Sequence, residues 1–138
     1  MANSLTNKGE EYALFGDGVS DGSIGRLATN LFLFDGTSTP AKDGTGFSEV
    51  ANGNGYVAGT GKVITIANWT FSVVSMNGQI VLDDQVWTAS GGNIANILGA
   101  YIVDAGGTNP LAWWERSSAV TLTPGDSLTA DDLTIRLT

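Results

Sequence analysis

The chain predicts an all-β domain, an antiparallel β-sandwich or jelly roll, preceded by a short N-terminal helix or arm. Three observations carry this. Nineteen glycines against three prolines imply many turns, and turns in number connect strands more often than helices. From Leu27 onward, short apolar runs recur about every ten residues between clusters of Gly, Asn, Asp and Ser. Charged residues make up only 14%, against about a quarter in ordinary soluble domains. A surface poor in charge but rich in Gly, Thr, Ser and Asn suits a packed, assembled environment, and is also common in secreted β proteins.

Residues 5–15, LTNKGEEYALF, are the one segment with helical spacing. Leu5, Tyr12 and Phe15 fall on one face and Glu10 and Glu11 point outward, while Gly16 and Gly18 end the run. The chain therefore divides into an arm, 1–15, and a β domain, 16–138. ATNLFLF is a buried strand closed by DGTSTP, and a long Gly-rich loop, AKDGTGFSEVANGNG, follows it. YVAGTGKVITIANWTFSV holds two strand-like runs, with alternation clearest in KVITIANW. Asn77-Gly78 has the residues of a type I′ hairpin turn between SVVSM and QIVLDDQVWTA. ILGAYIVDA and LAWWERSSAVTLT are further strands, and Pro124-Gly125 suits a type II turn. In the closing SLTADDLTIRLT, Leu128, Leu133, Ile135 and Leu137 form one apolar face. Seven or eight strands in all are expected.

Histidine and cysteine are both absent, which removes the commonest general base, thiol catalysis and thiolate metal sites together. GVSDG, Gly18 to Gly22, has the letters of a nucleophile elbow. It lacks the preceding strand, the following helix and a base for Ser20. Adjacent acids such as Asp83-Asp84 and Asp131-Asp132 point opposite ways in a strand and cannot share a substrate. Asp17, Asp21, Asp35 and Asp43 lie in Asp-Gly loops, where a carboxylate bonding its own backbone explains them without calcium. GNGYVAGTG lacks the Lys-Ser/Thr ending of a phosphate loop. The expectation is a non-enzyme without cofactor or metal.

Net charge is −8, and the six Lys and Arg are scattered singly. No basic stripe exists for nucleic acid or an anionic membrane surface, and no run approaches the ~18 apolar residues of a membrane span. The segment that carries a binding signal is NPLAWWERSSAV, Asn109 to Val120. In a strand, Trp113 and Trp114 point to opposite faces, so one enters the core while the other faces outward. Trp, Tyr and Arg are enriched in protein interfaces. Trp113, Trp114 and Arg116, with Tyr12 and Phe15 of the arm, are therefore the candidate interface residues. A sugar-stacking platform flanked by Asn109 and Glu115, or a Trp half-covered by its own loops, are the alternatives. Trp69 and Trp87 lie in alternating patterns and are expected in or beside the core.

The order of segments resembles a family of small tailed-phage virion structural proteins, often described as phage tail fibre proteins. The likeness runs from LFGDG through LFLFDGT, GTGFSEVANGNGY, ANWTF and LGAYIVDAGGTNPLAWWE to the closing SSAVTLTPGDSLTADDLTIRLT. The loop's usual G-G-G-Y-A-R ending stands here as GNGYVAG, without an Arg after Tyr56. The resemblance implies a β-sandwich that assembles in a virion as a symmetric oligomer, a homotrimer being expected. The partners it implies are the major capsid protein or other virion proteins. The expected function is capsid decoration (a cement protein stabilising the head), with a tail-tip or fibre role at host glycans as the alternative. The resemblance supplies no functional residues of its own.

Overall fold

In the run Leu31-Phe32-Leu33-Phe34 every residue is buried, which a strand satisfies only when both of its faces are covered. The computed structural model, which describes residues 4–7, 9, 24–105, 107 and 109–136, shows how this is met. Among those residues there are ten strands: β1 (Ser4–Leu5), β2 (Ala28–Asp35), β3 (Lys62–Val63), β4 (Trp69–Val74), β5 (Asn77–Leu82), β6 (Gln85–Thr88), β7 (Ile94–Asp104), β8 (Pro110–Leu122), β9 (Ser127–Ala130) and β10 (Thr134–Arg136). A single helical turn, Ile24–Leu27, leads into β2.

The strands form an antiparallel β-sandwich. One layer is a five-stranded sheet in the order β1-β8-β7-β2-β3. Its inner face presents Leu31, Leu33, Ala100, Ile102, Ala112 and Trp114. The other layer consists of two smaller sheets, β10-β5-β4 and β6-β9, which bring Trp69, Leu82, Ile135, Trp87 and Ala130 into the same core. The outer face of the five-stranded sheet carries Phe32, Phe34, Tyr101 and Val103, with Phe47, Leu98 and Trp113 packed against them. Phe47 arrives from the long loop after β2 and stacks on Tyr101 at 4.5 Å between ring centroids. That loop is tied down where the Val50 N–H donates to the Leu33 carbonyl at 3.0 Å and the Asp35 N–H to Ser48 at 2.9 Å. The Tyr56 hydroxyl donates to Glu49 Oε1 at 2.7 Å and accepts from the Leu33 N–H at 3.1 Å, so the Gly-rich loop is bolted to β2 by one buried phenol.

The expected strands over ATNLFLF, ILGAYIVDA and LAWWERSSAVTLT are β2, β7 and β8. Pro124 and Gly125 are a type II turn: Gly125 has φ 98°, and the Asp126 N–H closes on the Thr123 carbonyl at 2.9 Å. Trp69 and Trp87 are buried.

Four expectations are corrected. KVITIANW is broken, because Asn68 Oδ1 accepts the Thr65 N–H at 2.8 Å and folds Ile66–Asn68 into a 3-10 turn. The tail is two strands in different sheets, parted at Asp132, which has φ 51°; Leu133 and Ile135 are buried as expected, and Leu137 lies outside the described residues. Leu5 belongs to β1, paired with Ala112 of β8, rather than to a helix, so residues 4 and 5 of the expected arm are part of this chain's own sheet. Finally, the hairpin turn is Ser75-Met76, with Asn77 and Gly78 inside β5.

The last correction has a packing cause. The observed register sets Trp69 opposite Leu82 and Phe71 opposite Ile80, whereas a turn at Asn77-Gly78 would put Phe71 opposite Asp84. Core pairing wins, and Ser75 (φ 51°) and Met76 (φ 65°) are left in the left-handed region. Relieving this is expected to stabilise the protein: Ser75→Asn together with Met76→Gly raises unfolding free energy by about 1 kcal/mol in urea denaturation. Unchanged or lower stability would contradict the turn assignment.

Candidate functional site

Alternation along β8 separates the two tryptophans. Trp114 pairs with Ala100 and turns into the core, where it is 1% exposed and its Nε1–H donates to the Thr134 carbonyl at 3.2 Å. It therefore bridges the two layers and presents no surface to a partner, which corrects its place among the interface candidates. Trp113 pairs with Tyr101 on the opposite face. It is half-buried, with Phe47 edge-on to its ring at 5.8 Å, so the chain's own loop covers much of it. Arg116 is exposed and lines, with Leu128 and Thr129, a narrow crevice between β8 and β9. Tyr12 and Phe15 lie outside the described residues, as do Asp17, Ser20 and Asp21.

Of the polar neighbours expected beside a sugar platform, Asn109 is engaged otherwise, while Glu115 is exposed on β8. Asn109 Nδ2 donates to Asp104 Oδ2 at 2.6 Å, closing the β7–β8 turn. The loop acids are likewise turn-formers. Asp35 Oδ1 accepts from the Thr37 N–H at 2.8 Å and its Oδ2 from the Ser48 hydroxyl at 2.9 Å. Asp43 accepts from the Thr45 N–H and hydroxyl at 3.0 and 2.6 Å, and Asp126 accepts from Thr123 in the same way at 3.0 and 2.6 Å. No group of three or more His, Cys, Asp or Glu placed to hold a metal occurs among the described residues.

These bonds hold all three carboxyls below the ordinary carboxylate value of 3.8. At Asp35 partial burial pushes upward, but the Thr37 and Ser48 donors together outweigh it. At Asp43 and Asp126 the threonine hydroxyl is the largest influence and lowers the value. Carboxyls depressed on folding stabilise the protein above their unfolded value, and that stability is lost as pH falls through the folded one. Melting temperature is therefore expected to hold down to about pH 4 and then fall as these groups protonate. Thr37→Val, Thr45→Val and Thr123→Val combined should flatten that acid limb, and an unchanged acid limb in the triple variant would contradict it.

Among the described residues, the largest exposed apolar feature lies elsewhere, on the β4–β5 hairpin. Phe71 and Val73 share a face with the buried Trp69 but extend past the core edge, at 69% and 62% exposed, and Met76 at the tip is 97% exposed. β4 is an edge strand, with no strand on its outer side among the described residues. From Val63 to Leu82 the chain has no charged residue. Native edge strands are commonly blunted by Lys, Pro or a bulge; β4 has none of these. Sequence reasoning placed Phe71 and Val73 in a strand-like run without assigning them a face; the uncharged run was the available signal for a surface. Comparison with protein families, curated proteins and solved structures finds no match to this chain.

Proposed function

We propose that this chain is a virion structural protein, a decoration (cement) protein that binds the assembled phage head as an oligomer. The observation that carries the reading is the uncharged, apolar edge hairpin with Phe71, Val73 and Met76 in solvent: such a patch marks an interaction surface or an aggregation hazard. The low charge content and the ordered resemblance to small tailed-phage structural proteins support the same role. A cement protein stabilises a shell because it binds the assembled lattice and not dissociated subunits, with a gain set by that differential affinity. At a free concentration of 100 Kd the gain is about 2.7 kcal/mol per site. Arg116 and the open edge of Trp113 are the further contacts β8 offers to a lattice. The tail-tip alternative draws less support from the geometry around Trp113, whose ring packs against Phe47 and whose neighbour Asn109 is bonded to Asp104, with Glu115 left exposed.

The test is quantitative mass spectrometry of purified particles that carry this chain. A copy number near one per major capsid subunit is expected. A few to a few dozen copies per particle would place it in the tail, and absence from particles would overturn the virion reading.

A further inference from the structure

The outer edge of β4 has a defined hydrogen-bonding register. The two-residue turn makes Val74–Asn77 the closing pair of the hairpin, a pair that exchanges both backbone hydrogen bonds. Alternation then turns the N–H and C=O groups of residues 70, 72 and 74 toward β5, consistent with the Asp83 N–H donating to the Asn68 carbonyl at 2.8 Å. Those of Phe71 and Val73 point away from the sheet, as does the Trp69 carbonyl, while the Trp69 N–H is taken by the Ile66 carbonyl of the preceding 3-10 turn.

We propose that this edge pairs antiparallel with β4 of a second copy about a two-fold axis at Phe71, joining two three-stranded sheets into one of six strands. Phe71 then faces Phe71 of the other copy and Trp69 faces Val73; the Phe71 pair exchanges both backbone bonds, and each Val73 N–H reaches the Trp69 carbonyl of the other copy. The inference rests on the assembly reading above and names its first contact. A second copy is the occupant for three reasons. An antiparallel edge is self-complementary under a two-fold axis, so one surface serves both partners. Each copy carries −8, and charge repulsion, screened beyond about 8 Å, is weakest where the twenty residues from Val63 to Leu82 bring no charge. Phe71 and Val73 on one copy meet the same apolar residues on the other, as cross-strand pairs do. The Trp69 indole Nε1, the one buried side-chain donor without an acceptor among the described residues, also lies on this strand. A single strand edge is a small contact beside the roughly 1,200–2,000 Å² of stable specific interfaces, so association no tighter than the micromolar range is expected. The contact is two-fold, in place of the three-fold assembly the resemblance implies.

Sedimentation equilibrium of the full chain over roughly 1–100 µM, a span centred on micromolar affinity, tests it. The expected result is a monomer–dimer equilibrium, shifted at least tenfold toward monomer by Val73→Pro. That substitution removes an outward N–H and leaves the β5 ladder intact. The chain has no cysteine, so Phe71→Cys gives a second measure. Oxidised glutathione should link it rapidly into a disulfide dimer, while Met76→Cys, more exposed but distant from its symmetry mate, should link far more slowly. Monomer at every concentration, a trimer mass, or equal linking rates for the two cysteine variants would overturn the pairing. Monomer in solution with full copy number in particles would sink the pairing alone. A dimer absent from particles would sink the virion reading alone.

Discussion

Trp114→Ala lowers unfolding free energy by about 3–5 kcal/mol, the range for deleting a large buried aromatic, whereas Trp113→Ala costs only about 1–2 kcal/mol. The difference follows from their faces. Trp114 is fully buried between Leu33, Ala100 and Leu133, and its loss opens a cavity where the five-stranded sheet meets β9 and β10. It also leaves the Thr134 carbonyl without its indole donor. Trp113 loses an edge contact with Phe47 and exposes little that was not already wet. At roughly 3–4 °C per kcal/mol for a domain of this size, the Trp114 variant melts roughly 9–20 °C lower. Equal losses for the two variants in thermal and urea denaturation would contradict the assignment of faces.

The second large effect is at Gly99. A Cβ there would sit 2.2 Å from the Trp114 carbonyl oxygen and 2.4 Å from Phe34 Cζ. The Phe34 ring could tilt, though Phe47 and Tyr101 already pack on it. The carbonyl can retreat only by opening the β7–β8 ladder beside the Gly99–Glu115 pair. Gly99→Ala is therefore expected to cost about 3 kcal/mol or more, at the upper end for overpacking. Gly91→Ala is the control. That glycine, unlike Gly99, has positive φ, 78°, and nothing lies within 4 Å of a Cβ there, so its cost is limited to the backbone term of about 1 kcal/mol. Similar stabilities for the two variants, measured by urea denaturation, would contradict the close-approach role of Gly99.

Much of the sandwich was legible because its signals were local and agreed with one another. Pro124-Gly125 fixes its turn by backbone geometry alone, and the unbroken apolar runs of β2 and β7 reported strands buried on both faces. The tryptophan pair was legible as a division of faces, but which residue went inward was not, because β8 changes parity at a bulge near Leu111. Where local and tertiary preferences disagreed, local reading failed. Asn77-Gly78 is the better turn pair in isolation, yet pairing Trp69 with Leu82 moves the turn two residues back. KVITIANW alternates well, yet one hydrogen bond from Asn68 curls it. The hairpin stripe was hidden for another reason. An apolar alternation has the same letters whether it faces a core or a partner, and only the reach of β4 past its neighbours separates the two.

The central claim is that the apolar hairpin serves assembly on a shell. Its most direct test is co-sedimentation of the purified protein with phage heads depleted of it, comparing wild type with Phe71→Asp. Phe71 is solvent-exposed, so the variant should remain folded, as circular dichroism can verify. Wild type is expected to pellet near one copy per coat subunit. Phe71→Asp is expected to bind at least about 100-fold more weakly, the scale on which joined copies gain over single ones. Wild type remaining in the supernatant, or the variant binding as tightly as wild type, would contradict the account.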